Sequence, residues 1–317
     1  MSDISGYETG AAQQSRLAEP PRTGLRPDQL TTRERSQFEL VVRRFLRHRL
    51  AVASLMVFIL VVLFAFLGPY VWKYDHTYLK APSSEPPSLS HPFGTDSIGH
   101  DLLGQVIRGT QQSLKISLLV ALVATGVGAI WGAMAGFYRG WIDAVMMRLV
   151  DVILTLPAIA VAITLTANIR GSGAWWGIAL VLGGLSWTVV SRVVRGVVLS
   201  LREQEFVEAA RAMGASDARI ILRHLVPNAL GPIIVAATIT VAAAILAETA
   251  LSFIGFGVQT PDTSLGLLIS QAEPAVQTRP WLFYFPGIFI ILIALTINFI
   301  GDGLRDAFDP RQTLVRR

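Results

Sequence analysis

Residues 203–228 read EQEFVEAARAMGASDARIILRHLVPN. This is the longest polar segment after the first long apolar run, and apolar runs flank it on both sides. Its apolar residues recur at helical spacing: Phe206, Val207, Ala210 and Met213, then Ile220, Ile221 and Leu225. An apolar residue every three or four positions predicts two short amphipathic helices. Gly214 stands at their junction, where a glycine at positive φ ends the first helix. Ser216 is placed to cap the second helix, and Asp217 complements its positive N-terminal end. Pro227 marks the end of that helix and the entry to the next apolar run. The predicted product is a helix–turn–helix knob on the surface of a membrane protein. On these residues alone it is equally an ordinary loop between spans.

The rest of the chain fits the membrane class. Of its 317 residues, 52% are hydrophobic and 15% charged, and the mean hydropathy is +0.52. Six apolar runs each suffice to cross a hydrocarbon core of about 30 Å. They cover residues 50–72, 116–138, 144–168, 171–191, 225–256 and 281–301. The alternating short strands of an outer-membrane barrel are absent from the pattern. The expected fold class is therefore an all-α polytopic membrane protein with six transmembrane helices.

Several chemistries are excluded. There is no cysteine, hence no disulfide framework and no thiolate metal site. The five histidines, His48, His76, His91, His100 and His224, are scattered, none at metal-ligand spacing, so no metal site is expected. No Gly-Lys pair occurs, so the chain has no phosphate-binding P-loop and does not hydrolyse ATP by that route. No catalytic constellation is present, and the chain is not expected to be an enzyme or to hold a cofactor.

The formal net charge is +5 and the pI about 9.9. A membrane surface explains that balance better than a nucleic acid does, because the arginines cluster on segments that alternate along the chain. With the N-terminus inside, the inner segments hold the N-terminal arm, Arg139, the loop 192–223, and Arg305, Arg311, Arg316 and Arg317. The outer segments hold Lys73, Lys80, Arg108, Arg170 and Arg279. The bias places both termini and the 203–228 knob in the cytoplasm. Residues 1–33 are rich in Ser, Thr, Gln, Gly and Pro and are expected to be a disordered cytoplasmic tail. Residues 34–49 are expected to form an amphipathic helix on an anionic leaflet. Phe38, Val41, Val42, Phe45 and Leu46 make its apolar stripe, and Arg43, Arg44, Arg47 and Arg49 its other faces.

Between the first two spans lies an outer loop, residues 73–112. Its turn-rich part precedes a stretch that Asp101 can cap as a short helix, with Leu102, Leu103, Val106 and Ile107 as its apolar stripe. Residues 113–310 then hold five spans and the 200–228 loop, and residues 311–317 are a cytoplasmic tail. Near the start of the third span, by the cytoplasmic interface, Arg148 and Asp151 are three apart and placed to pair, before Pro157, which should kink that span. Glu248 is the sharpest polar residue in a span. It lies about 30 Å along the helix from Asn228, hence near the outer interface, where a carboxylate bonded to backbone or a partner is the expectation. Gly128, Gly132 and Gly136, four apart, allow close helix approach. Trp175, Trp176, Trp281 and Tyr284 fall at span ends and fit an aromatic belt.

Four stretches carry a resemblance to one family. Glu208-Ala209-Ala210, then Gly214, then Leu225-x-Pro227 resembles the EAA loop of bacterial ABC importer permeases. His91-Pro92-x-Gly94-Thr95-Asp96-x-x-Gly99-x-Asp101 is similar to the outer-loop motif of the peptide and nickel importer permeases, which usually have arginine where His100 stands. Residues 248–255, ETALSFIG, with Gly257-Val258 look like a third motif, close to the outer mouth. Pro286-Gly287 opens the sixth span, and Asn298 to Asp306, with Gly301-Asp302-Gly303-Leu304-Arg305-Asp306 and then Asp309-Pro310, looks like their ending. The matches cover residues 38–310, and their order is similar to that of the C-type permease of oligopeptide and dipeptide importers.

The resemblance implies the fold of an ABC type I importer permease in a bacterial cytoplasmic membrane. It makes Glu208, Ala209, Ala210, Gly214, Ala215, Ile220, Leu225 and Pro227 the coupling loop that docks on an ATPase. Glu248, Gly255 and Gly257 become an outer-gate or structural group. It implies as partners a B-type second permease subunit, two P-loop ATPase subunits that bind the ATP and Mg, and an extracytoplasmic substrate-binding protein. Membrane lipids are the further partner, and no nucleic acid is expected. Asp302, Arg305 and Asp306 are expected to bond the Glu208 loop, and the fourth and fifth spans to line the solute path. Peptides are the leading solute, with nickel or another small solute as the alternative inside the family. A secondary transporter or a membrane scaffold is the alternative outside it; a transporter would need ionisable residues deep in spans and no docking loop.

Overall fold

Two helices, α3 (Leu102–Tyr138) and α6 (Trp175–Leu201), frame the molecule. The structure, a computed structural model, describes residues 37–169 and 175–308. From Leu40 onward the chain forms one body; of residues 1–39, only Gln37–Glu39 at the start of α1 (Gln37–Arg47) are described.

Glycines bring α3 and α6 together. A Cβ on Gly128 would lie 2.7 Å from the carbonyl oxygen of Trp187, one on Gly136 2.9 Å from that of Arg195, and one on Gly132 would strike the carbonyl of Ser191. Only hydrogen fits at these three positions, so the backbones meet as they do in small-residue membrane interfaces. The paired numbers rise together, which makes the two helices parallel. Thr188 and Ser191, buried in this seam, satisfy their hydroxyls on carbonyls of their own helix, at 3.0 and 2.7 Å.

Because α3 and α6 are parallel, the chain between them must cross back. It does so in two pieces, α4 (Gly140–Thr155) and α5 (Ala158–Thr166), bent by 80°. The expected kink at Pro157 is a break. Leu156 is extended, with ψ 136°, because a residue before proline is driven out of the helical region.

The other long helices are α2 (Arg49–Val71), α10 (Leu230–Phe253) and α12 (Trp281–Phe308). α12 runs antiparallel to both. Gly303 meets Ala51 at one end of α2 while Phe289 stacks on Phe64 at 4.8 Å farther along, and Gly301 faces Thr238 of α10. α2, α3, α6, α10 and α12 are each long and apolar enough to cross a membrane, and the bent α4–α5 pair, taken as one span, is the sixth, as parallel α3 and α6 require. No strand occurs among the described residues. The all-α, six-span reading holds.

Helix lengths differ from the spans predicted. The short helix expected after Asp101 continues into the second span as one α3 of 37 residues. α6 and α12 likewise run on, to Leu201 and Phe308. Hydropathy marks where a helix leaves lipid, and the helix itself ends only where its hydrogen bonding does. α1 meets α2 at a His48 elbow, whose ring Nδ1 accepts the Ala51 amide at 3.1 Å. Phe45 is buried against Ala51 and Ala307 and Arg43 and Arg47 are exposed, but Val42 and Leu46 of the expected apolar stripe are exposed as well, 39% and 60%. The tails 1–33 and 311–317, residues 34–36, the Phe38 side chain, residues 170–174 and Asp309-Pro310 lie outside the described residues.

Candidate functional site

The 203–228 segment folds as α7 (Glu205–Ala212), α8 (Asp217–Ile220), a π turn at Ile221–Leu225 and α9 (Val226–Asn228). Gly214 has φ +79°. Its amide donates to Arg211 at 2.9 Å, and the Ala215 amide donates to Ala210 at 3.0 Å. That pair of bonds satisfies the last carbonyls of α7 and is the Schellman form of helix end. Ser216 has extended N-cap geometry but makes no side-chain capping bond. Pro227 does not close the second helix. It stands inside a helical run that follows directly on the π turn, and the chain passes through Ala229 into α10 with helical geometry throughout.

Burial splits the segment into an anchor and a tip. Val207, Ala210, Ile220, Ile221 and Leu225 are buried against Ala133 and Phe137 of α3 and Val194 and Val198 of α6. Phe206 and Met213, expected in the same stripe, face outward, 37% and 82% exposed. Met213 is the C-cap of α7, past its last helical residue. Glu208, Ala209 and Gly214 share the exposed tip; Ala215 is half-buried and Pro227 is exposed at the base. Of the eight positions assigned to coupling, Ala210, Ile220 and Leu225 therefore hold the knob, and Glu208, Ala209 and Gly214 present it.

Cations bolt the knob to the helix ends. Arg202 donates to the Phe137 carbonyl from Nη1, and the guanidiniums of Arg202 and Arg211 lie 5.9 and 5.7 Å from the Phe137 ring. Arg139, which ends α3, bonds Glu203 at 2.7 Å. Arg195 grips Asp143 through two bonds of 2.6 Å. Arg192 bonds Asp151 at 2.5 Å, so the expected Arg148–Asp151 pair does not form. Across the helix pair, α6 supplies a better-aimed cation than the same helix does. Arg148 is exposed and has no bond among the described residues.

The inner-end motif does not reach the knob. Gly301 and Gly303 seat α12 on α10 and α2, which turns its polar edge toward the α1–α2 elbow. Asp306 approaches His48 at 3.6 Å, and Arg44 donates to the Ala307 carbonyl at 3.4 Å. Asp302 and Arg305 are exposed, and no described bond joins these residues to the 203–228 segment.

At the opposite end, the loop motif builds its own framework. Gly94 and Gly99 have φ +79° and +92°. The Thr95 hydroxyl accepts the Glu85 amide at 2.8 Å and donates to the Pro82 carbonyl at 2.5 Å. Asp96 accepts the amides of Ile98 and His100 at 2.9 and 2.8 Å, and the His100 ring at 2.7 Å. His100, which stands in place of the arginine usual in the resembled motif, thus contacts a carboxylate. Asp101, fully buried, caps α3 on the Gly104 amide at 2.8 Å and also accepts Trp72 and His91, each at 2.7 Å. Nearby, burial would raise the Asp75 carboxyl, but bonds from the His76 ring, Thr77 and the His76 amide outweigh it and hold the group below its usual range.

Glu248 is fully buried, not at an open mouth. It accepts Ser252 of its own helix at 2.7 Å and Ser113 of α3 at 3.1 Å. Its partners are hydroxyls, where backbone or a partner subunit was expected. Ser264, N-cap of α11 (Leu265–Ala272), lies 3.3 Å from the Ser252 hydroxyl. The break expected beside it is present. Gly255, at φ +90°, donates to Ser252 at 3.0 Å while Phe256 donates to Leu251 at 2.9 Å, the same helix end that Gly214 makes. Gly257 has no Cβ because Ser252 occupies that space.

The sequence reading missed the Arg108–Asp262 pair, joined at 2.9 and 3.1 Å and supported by Gln112. Partners 154 residues apart leave no local signal. Beside it, a cavity of about 660 Å³ lies between the loop and the α10–α12 connection, lined by Leu102, Leu268, His100, Asp262 and Arg279.

Comparison with known proteins places these features in context. Residues 128–314 match the family described as binding-protein-dependent transport system inner membrane component, and residues 36–87 match the N-terminal TM domain of oligopeptide transport permease C. The oligopeptide transport system permease protein OppC of Mycobacterium tuberculosis is 44% identical over 283 residues, 89% of this chain and 97% of that protein. The protein of that name in Bacillus subtilis is 35% identical over 285 residues, 90% of this chain and 93% of its own. A solved structure titled as inward-facing conformations of the MetNI methionine ABC transporter has a chain similar in fold, with TM-score 0.54 and 20% identity, over 65% of this chain and 97% of that one.

Proposed function

The chain belongs to the binding-protein-dependent transport permeases, in the branch of C-type oligopeptide permeases, and we propose from that premise how it works as a permease subunit of a peptide ABC importer. The observation that carries the reading is the knob: an exposed tip of Phe206, Glu208 and Met213 held on a buried anchor.

The tip is the docking surface for a P-loop ATPase, two copies of which bind the ATP and Mg that this chain has no motif to bind. Met213 and Phe206 are apolar prongs for a groove on that partner, and Glu208 adds a polar rim contact. Motion of the ATPase passes through the anchor to the paired ends of α3 and α6, because Val207, Ala210 and Leu225 have no room to move independently. Arg202, Arg211 and Arg139 transmit it to Phe137 and the α3–α4 corner.

The knob end faces the cytoplasm. The α1 arginines and Arg139, Arg202, Arg211, Arg219 and Arg223 gather there, whereas the loop end carries Lys73, Lys80, Arg108 and Arg279, and cationic segments stay inside. An extracytoplasmic binding protein docks on the loop framework and its cavity, and a B-type permease completes the pathway in a bacterial cytoplasmic membrane.

Pull-down of the chain from mildly solubilised membranes, with the bound proteins identified by mass spectrometry, tests this. Recovery of a second permease and P-loop ATPases is expected. Recovery of the chain alone would overturn the coupling assignment and favour a self-sufficient transporter.

A further inference from the structure

The crossing made by α4 and α5 is unlike the other five. Its 80° break at Leu156–Pro157 leaves the first amides of α5 without intrahelical partners, while at the end of α4 Ile153 accepts the Leu156 amide at 3.2 Å and Val152 the Thr155 hydroxyl at 2.7 Å. Pro157 provides no side-chain cap. The break is also uncovered: Leu156 is 47% and Ile159 56% exposed. Irregular backbone at membrane depth is tolerated where it is buried in protein or lines water, and not against lipid tails.

A second observation lies on the same face. Arg148 and Asp151 lie about 6 and 10 Å along α4 past residue 144, where the apolar run begins. The Asp151 and Arg192 side chains are 45% and 52% exposed despite their bond, and Arg148 is exposed with no partner among the described residues. Charges inside a span face a bundle interior or a water-filled cavity. Two guanidiniums stand here against one carboxylate, so the face is net cationic.

We propose that the face of α4 bearing Arg148 and Asp151, with Arg192 of α6 and the break at Leu156–Pro157, lines a water-filled solute passage. Its cationic excess, centred on Arg148, favours solutes that carry a carboxylate. The inference rests on the permease reading above for its solute, but the wetness of this face does not depend on which partners are recovered.

The natural chain has no cysteine, which permits a direct test in membranes holding the assembled complex. Val152→Cys and Ile159→Cys, both 56% exposed beside the break, are compared with Leu60→Cys of α2 and Ile291→Cys of α12, 64% and 59% exposed on apolar faces. Leu60 lies about 17 Å along α2 from Arg49, and Val152 about 18 Å along α4 from Gly140. The probes are membrane-impermeant methanethiosulfonates with a sulfonate or a trimethylammonium head, applied from either side with and without ATP, and the mass increase is read on this chain alone. Val152→Cys and Ile159→Cys should react at least tenfold faster than the controls in one of these states. Relative to a free thiol, Val152→Cys should prefer the sulfonate, and Arg148→Gln should abolish that preference. Rates equal to the controls in every state would overturn the passage, and a preference unchanged by Arg148→Gln would overturn the role of Arg148. Labelling as expected without ATPases in the pull-down would leave the passage standing and remove the coupling reading; the converse result would do the opposite.

Discussion

Met213, the C-cap of α7, stands one turn beyond Ala210 and is 82% exposed where Ala210 is 2%. The knob therefore offers an apolar prong that its own fold does not use. Met213→Asp should leave the fold intact, since nothing packs on the side chain, and weaken ATPase docking by ten- to a hundredfold, about 1–3 kcal/mol for an interface anchor. Co-purified ATPase and peptide uptake should fall together while the melting temperature in detergent stays put. Ala210→Asp should instead melt the knob, because it buries a charge against Phe137 and Val198. Unchanged ATPase recovery with Met213→Asp would remove Met213 from the docking surface.

The α3–α6 seam predicts a contrast between glycines of one helix. Gly132 faces the Ser191 carbonyl and lies 2.9 Å, at the Cβ position, from the Arg195 amide, so any side chain must push rigid backbone apart. Gly126 has nothing within 4 Å. Gly132→Ala should destabilise by about 1–3 kcal/mol, as overpacking does. Gly126→Ala should be neutral or stabilising, by up to about 1 kcal/mol of helix propensity. Thermal denaturation of the two purified variants measures the difference, and equal melting temperatures would mean that the seam is not tightly packed.

The features legible in the sequence are those written in local pattern. Gly214 and Gly255 were readable because a helix end at positive φ favours glycine, and Gly128, Gly132 and Gly136 because their spacing repeats a helical face. Asp101 was readable as a cap because it precedes an apolar stripe. Met213 was misplaced because periodicity does not show where a short helix ends, and Met213 is the residue just past the end of α7. Arg192, Arg108 and Asp262 were invisible for another reason. Ion pairs between helices depend on which spans become neighbours, and periodicity carries no record of that. The same gap led Asp151 to be paired with Arg148 and Asp306 with the knob.

Asp75 gives a pH dependence confined to the loop. Its carboxyl is held below the ordinary range by bonds that outweigh its burial. A lowered value means that the bonded form adds stability above the ordinary value of about 3.9, and that this is lost as pH falls through the lowered one. Carboxyl footprinting against pH should give Asp75 a midpoint below about 3.9, and His76→Ala should move it up. A midpoint indifferent to His76 would show that the ring does not hold the carboxylate.

Glu248 predicts a difference between removing a carboxyl and replacing it. Its two oxygens accept the Ser252 and Ser113 hydroxyls at 2.7 and 3.1 Å, with the Ser264 hydroxyl 3.3 Å from that of Ser252. Glu248→Ala would take the carboxylate acceptor from both hydroxyls and leave a void between α10 and α3. A buried hydroxyl left without an acceptor costs about 1–3 kcal/mol, so a loss of several degrees in melting temperature is expected. Glu248→Gln keeps a carbonyl acceptor for one serine, and its amide can donate to the other, whose hydroxyl then accepts. It should therefore retain most of the stability. Ser113→Ala should weaken the protein less than Glu248→Ala, and the double variant should lose less than the sum, because the two changes break one shared bond. Strict additivity, or a Glu248→Gln variant as unstable as Glu248→Ala, would show that the carboxyl is held by something other than these serines.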